Sequence, residues 1–291
     1  VKTIYRLFFA VALFVYTNIT MAIDLVPLWD FNKPELSEQR FRDALTTATG
    51  DDALVLQTQI ARSFGLRKDF AKAKDILKSI EKPVLSAGPE VRTRYALELG
   101  RTYASATHPQ ESQTPESKKL ARTAYESALA VAKGAGLDGL AIDAIHMLAF
   151  VDNEPADQLK WGKEALAVVA ASSQPEAKKW EASIQNNIGY ALHQLGRFDE
   201  ALLSFKQALV IRERGPNAEA IRVAHWMIAW TLRAMGRMDE AISIQLRLEQ
   251  ECEAAKAPDP YVFEELETLY RARGDEVQAN QYAELKKSAG G

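Results

Sequence analysis

The sequence of 291 residues contains one cysteine, Cys252. That excludes an intrachain disulfide framework and a multi-cysteine zinc site. There are four histidines, His108, His146, His193 and His225, and no two have the spacing of a helical HExxH zinc motif. Gly-rich phosphate loops, a Gly-x-Ser-x-Gly elbow and a Cys-x-x-Cys pair are also missing. There is no surplus of positive charge either. Lys plus Arg is 36 against 39 for Asp plus Glu, a net charge of −3, so no nucleic-acid partner is expected. β-Branched residues are sparse and no alternating pattern lasts, which argues against a sheet. With 47% hydrophobic and 26% charged residues, the composition is that of a soluble globular chain.

Residues 1–22 differ in kind from the rest. Lys2 and Arg6 precede an apolar run from Leu7 to Val15, and Thr20-Met21-Ala22 offers a small-residue cleavage site. That order is the order of a secretory signal peptide, and the run is too short for a stable membrane span. Removing the segment takes the net charge from −3 to −5, since it holds two bases and no acid. A periplasmic or secreted location is expected on that basis. The alternative is a cytoplasmic protein that starts at Met21.

The remainder is a succession of helices separated by turn signals such as Gly88-Pro89, Gly134-Ala135-Gly136, Gly215-Pro216 and Asp259-Pro260. Self-comparison reveals a repeat. Gly196-Arg-Phe-Asp-Glu-Ala201 returns 40 residues later as Gly236-Arg-Met-Asp-Glu-Ala241, and Gly274-Asp275 follows after 38 more. Within one unit, Ile188, Gly189, Leu192, Gly196, Phe198, Ala201, Phe205 and Ala208 stand in the order that resembles the tetratricopeptide repeat family. Other units match in part. Leu99-Gly100, Tyr103, Ala121, Tyr125 and Ala128 form one. Ile60-Ala61, Phe64, Phe70, Ala73 and Leu77 form another, with Lys68 in place of the turn glycine. In a third, Ala149, Ala165 and Leu166 fit, while His146 takes a small-residue place and Asn153 the turn.

The resemblance to bacterial members of this family covers residues 37–286. It implies an all-α solenoid, a right-handed superhelix of antiparallel helix pairs, with about six pairs and an N-terminal capping helix from Ser37 to Thr47. Residues 23–36 then form an N-terminal extension and 287–291 a flexible tail. The physical basis is steric: Gly189, Ala201 and Ala208 let helices approach closely, and Phe198 and Phe205 fill the joints. Each pair has too little core to stand alone.

The family also implies that the first helix of each pair lines the inner face. Ser183, Asn186, Tyr190 and His193 are spaced to share one helix face, and the offset of 40 adds Val223, Trp226, Trp230 and Arg233. Asn186, Tyr190, His193, Trp226, Trp230 and Arg233 are therefore the candidate binding residues. Trp226 and Trp230 admit two roles, packing at the joint between pairs or an aromatic shelf for an extended peptide. Trp161 and Trp180 are expected to pack. Arg62, Arg94 and Arg101 in earlier units, with Arg233, point to an acidic protein or peptide partner. Of the Lys and Asn set with which this family clamps a C-terminal carboxylate, only Asn186 and Asn187 have counterparts, so no clamp is expected. His146 is expected to be buried with one backbone partner, Cys252 to be inert, and His108 carries no visible partner. No catalytic residue, cofactor or metal is expected. The function implied is a non-catalytic interaction scaffold, with a sensor for a small molecule or signalling peptide as the alternative.

Overall fold

A computed structural model describes residues 23–289, which form fourteen α-helices and two 3-10 turns with no strand. The expected leader, residues 1–22, lies outside the described residues. An unpaired helix, α1 (Pro34–Leu45), packs on α2 (Gly50–Leu66). Six pairs follow. They are α2 with α3 (Phe70–Val84), α4 (Pro89–Tyr103) with α5 (Pro115–Gly134), and α6 (Asp138–Val151) with α7 (Pro155–Ala171). After the single turn of α8 (Pro175–Lys178) come α9 (Glu181–Gln194) with α10 (Phe198–Arg212), α11 (Ala218–Ala234) with α12 (Met238–Ala254), and α13 (Pro260–Ala272) with α14 (Glu276–Ala289). Each helix packs mainly on its neighbours in the chain, the one-dimensional arrangement of a solenoid.

Helix α1 begins three residues before Ser37 and stops at Leu45, because Pro34 occupies the first turn, where a missing N–H costs nothing. Helix α14 runs through residues 287–289, which the sequence assigned to the tail. Residues 23–33 are anchored on α1 and α2. Leu25 is buried there, the Trp29 ring meets Phe41 edge-on at 4.9 Å, and its indole N–H donates to Gln59 Oε1 at 3.2 Å.

Four of the six turns between paired helices share one geometry. Gly196, Gly236 and Gly274 have φ of 72°, 77° and 78°. At the first, Gly196 N–H donates to His193 O and Arg197 N–H to Leu192 O, a pair of bonds that satisfies the last carbonyls of α9. Lys68 makes the same two-bond turn at φ 66°, which a residue with a Cβ adopts only at a cost.

Packing inside the pairs depends on missing side chains. A Cβ on Gly189 would lie 2.7 Å from Cε1 of Phe205, and one on Gly100 would lie 2.4 Å from Cε1 of Tyr125. Both rings are fully buried. One repeat later the pair becomes Ala229 and Gln245: a methyl has arrived and the ring has gone. Gln245 is itself fully buried, and neither polar atom of its amide has a hydrogen-bond partner.

The apolar core falls into an N-terminal cluster ending at Val91, a central cluster starting at Ala96, and a C-terminal cluster around Leu248 and Leu266. At the seam between the first two lies an ionic lattice. Glu98 accepts from Arg62 at 3.1 Å and from Arg101 at 2.6 Å, and Arg101 also reaches Asp143 at 2.5 Å. It ties α2, α4 and α6 together.

Candidate binding groove

The first helices of successive pairs line a trough. One cavity of about 240 Å³ lies over α2, α4 and α6, between Arg62, Glu98, Arg101, Asp143 and His146. The long loop between α4 and α5, residues 104–114, supplies one wall of it. Thr107 there donates to Gly65 O at 3.3 Å, and His108 is locked in place. Its ring stacks on Phe70 at 3.6 Å and its nitrogens meet Ser105 Oγ and Thr102 O, partners the sequence did not reveal. Burial holds its pKa below the usual histidine value.

A second cavity of about 190 Å³ continues the trough between α6, α7 and α9. His146 and Phe150 line both cavities. His146 therefore corrects an expectation: it is exposed on the inner face rather than buried with a backbone partner. Its Nδ1 lies 3.5 Å from the amide of Asn187, and its ring is tilted against Trp180 with centroids 5.6 Å apart. Desolvation by the crowded walls lowers its pKa, outweighing nearby Asp143. Trp161 and Trp180 do pack against the core, and they also form cavity walls, with the Trp161 indole donating to Asp152 Oδ2 at 2.9 Å.

Beyond Tyr190, which lines the second cavity and is 44% exposed, the predicted residues form an aromatic stack. Trp230 lies parallel to Tyr190 at 5.9 Å, to His193 at 3.3 Å and to Trp226 at 6.1 Å. Thus Tyr190, His193, Trp226 and Trp230 come together as the offset of 40 requires. Both tryptophans are partly buried and pack against core residues, and the Trp226 indole donates to Tyr261 O at 3.1 Å. The His193 pKa falls to about 4, through desolvation first and the Arg233 charge second. Asn186 turns away from the second cavity, whose polar rim is supplied instead by Asn187; the Asn186 Oδ1 is buried without a partner.

The arginines are committed within the chain. Arg233 donates to both oxygens of buried Glu265, at 2.6 and 3.2 Å. Arg62 and Arg101 belong to the ionic lattice, and Arg94 pairs with Glu90 at 2.8 Å. An acidic partner therefore loses the support these residues were expected to provide. Glu98, Asp143 and Glu265 were missed because each sits on a different helix from the arginine it neutralises, or is indistinguishable in sequence from a solvated acid. Repeated acids on the second helices are structural: Glu200 and Glu240 are each bidentate with Arg197 and Arg237. Cys252 is buried, and that burial raises its thiol pKa, as an unreactive cysteine requires.

Residues 180–249, which hold two of the three glycine turns, the Gly189 and Phe205 joint and the aromatic stack, match the tetratricopeptide repeat family model. This segment is a tetratricopeptide repeat region. Solved structures extend the likeness of this repeat array well beyond the matched segment. A STAND ATPase with a tetratricopeptide repeat sensor from Pyrococcus horikoshii aligns with TM-score 0.68 and 11% identity over 88% of this chain and 39% of its own. The apo form of RapI aligns with TM-score 0.65 and 13% identity, over 89% of this chain and 70% of its own. A Rap protein complexed with competence and sporulation factor gives 0.54 and 17%, over 87% and 68%. At these identities the likeness is one of fold, and the chain spans well under half the length of the first of them. No curated protein matches the sequence. Among the described residues no helix is long and apolar enough to cross a membrane, and no cluster of His, Cys, Asp and Glu has metal-site geometry.

Proposed function

We propose that this repeat protein is a non-catalytic scaffold that holds a protein segment or peptide along the trough. The observation that carries this is continuity. Two cavities with His146 and Phe150 in common run across α2, α4, α6, α7 and α9, and Tyr190 hands the second on to the Trp230 stack. An extended chain can contact several units of such a surface at once, and exposed aromatic rings are the side chains most often found at binding hot spots. A Rap protein of similar fold is complexed with competence and sporulation factor, which agrees with a scaffold that holds a partner. A sensor for a smaller molecule is the second candidate, favoured by the compact cavity between α6, α7 and α9.

The test begins with the purified chain as bait in a lysate of its host. The captured partner is then titrated against Tyr190→Ala, Trp230→Ala and, as a control on the outer turn, Glu200→Ala. Loss of about 2 kcal/mol of binding on Trp230→Ala, roughly thirtyfold, is expected with the control unchanged. Unchanged affinity in both aromatic variants, or loss of affinity only in step with melting temperature, would remove the groove from consideration.

A further inference from the structure

The cavity between α6, α7 and α9 differs in chemistry from its neighbour. The trough over α2, α4 and α6 is floored by four charged side chains, whereas the lining of this one includes no Lys, Arg, Asp or Glu. Gly162 lines it and lets α7 and α9 close together beneath it, since a Cβ there would lie 2.7 Å from Ile188 Cγ1. Phe150 and Trp161 flank it, Ala149 leaves its wall low, and its polar groups are all uncharged side chains: the amides of Gln158 and Asn187, the imidazole of His146, the Tyr190 hydroxyl and the Trp161 indole N–H, which is already bonded to Asp152. A charged ligand group placed here would lose its water and meet no counter-charge. An apolar cavity of about 150 Å³ in another protein takes up benzene. At about 190 Å³, this one holds a single ring or branched aliphatic group and little more.

We infer that this cavity is the anchor pocket for one bulky, uncharged apolar side chain, such as Leu, Met or Phe, of the peptide held in the trough. This rests on the scaffold function proposed above and makes it more specific. The chain itself shows the same chemistry at the end of the trough. There the N-terminal extension seats Trp29 on α2, with its indole bonded to the Gln59 amide and its ring, stacked on Phe31, beside the Arg62 guanidinium. An apolar ring with an amide at its edge is thus already accommodated on a first helix of this array. In the anchor pocket Gln158 and Asn187 stand at the rim, where the main chain of the bound segment passes.

The test uses a phage-displayed library of random twelve-residue peptides, selected on the purified chain. Recovered peptides are remade with each position changed to alanine, and their affinities are measured for the parent chain and for Ala149→Phe, which fills the pocket. The expected result is a shared bulky apolar residue in the selected peptides. Its replacement by alanine and the Ala149→Phe change should each weaken binding at least tenfold. The two should not add, since the anchor has no pocket left to lose. Ala149→Leu, with a milder expected loss of at least threefold, serves if the melting curve of Ala149→Phe shows that it does not fold. Peptides that bind and are weakened by Trp230→Ala, but have no apolar anchor or ignore both Ala149 changes, would overturn the anchor pocket and leave the scaffold standing. Recovery of no binding peptide would overturn both.

Discussion

The imidazole of His193 lies flat against the indole of Trp230, with ring centroids 3.3 Å apart and planes within 15°. Phe198 closes its edge at 5.0 Å, Arg233 lies near, and Nε2 is buried without a partner. Burial among these rings first, and the Arg233 charge second, disfavour a second proton, while Glu265 is already occupied by Arg233. The folded pKa, about 4, is thus below the unfolded value of about 6.5. Between those values the unfolded chain binds a proton that the folded chain refuses, so stability falls as pH drops from 6.5 to 4. Solvent reaching the ring keeps the loss to about 1–2 kcal/mol. Denaturant melts at pH 7 and pH 4.5 should show a smaller difference for His193→Phe than for the parent.

Gly189 faces the Phe205 ring at a distance that leaves no room for a Cβ. Gly189→Leu should cost about 3 kcal/mol or more, at the upper end of overpacking, because the ring belongs to a fully buried joint. Circular dichroism melts measure this, and a helix-dominated spectrum at low temperature is expected for parent and variant alike. A neutral Gly189→Leu would mean that the register of α9 on α10 is wrong.

Lys68 occupies a left-handed turn that glycine occupies at 196, 236 and 274. Lys68→Gly should therefore stabilise by about 0.5–1 kcal/mol, as relief of the Cβ clash exceeds the added freedom of the unfolded chain. Gly236→Lys is the mirror experiment and should destabilise by a similar amount.

Gln245 stands where the preceding repeat has Phe205, and both of its amide atoms are buried without partners. An unmet buried polar group costs about 1–3 kcal/mol. Gln245→Met or Gln245→Leu should raise the melting temperature by several degrees. An unchanged or lower value would show that a water molecule satisfies the amide.

A leader at residues 1–22 predicts a mature protein that begins near Ile23. Intact mass of the protein from its native host measures this. A cytoplasmic product beginning at Met21 or Ala22 would instead establish the internal start.

Helix pairing, the turns and the facing columns of α9 and α11 were legible in the sequence because steric demands repeat. Gly196 recurs as Gly236 and Gly274, and Tyr190 meets Trp230 because a fixed offset places them side by side. What was not legible involves partners whose spacing obeys no period. Glu265 neutralises Arg233 across 32 residues, and Asp143 reaches Arg101 across 42. The second cavity was invisible for a related reason: three helices line it, and small residues such as Ala149 in its wall read equally well as close packing. His146 was misplaced because its apolar neighbours Ile145 and Met147 point into the core while it points away.

The ionic lattice of Arg62, Glu98, Arg101 and Asp143 has a consequence for cooperativity. It bridges the N-terminal and central apolar clusters where α2 and α4 meet α6. Burial alone would raise the Asp143 pKa, but Arg101 and Arg62 outweigh it and hold the carboxyl below its ordinary range. Its contribution is therefore present above about pH 4 and disappears as acid protonates the folded form. Buried ion pairs add little net free energy against their desolvation, yet breaking one leaves an uncompensated charge. The lattice thus acts as a brittle fastening, firm while intact, set beside the apolar contacts that Val91, Tyr95 and Leu99 of α4 make with the N-terminal cluster. In acid the N-terminal pair should detach as one foldon, its amide protons exchanging in a block ahead of those in residues 180–249.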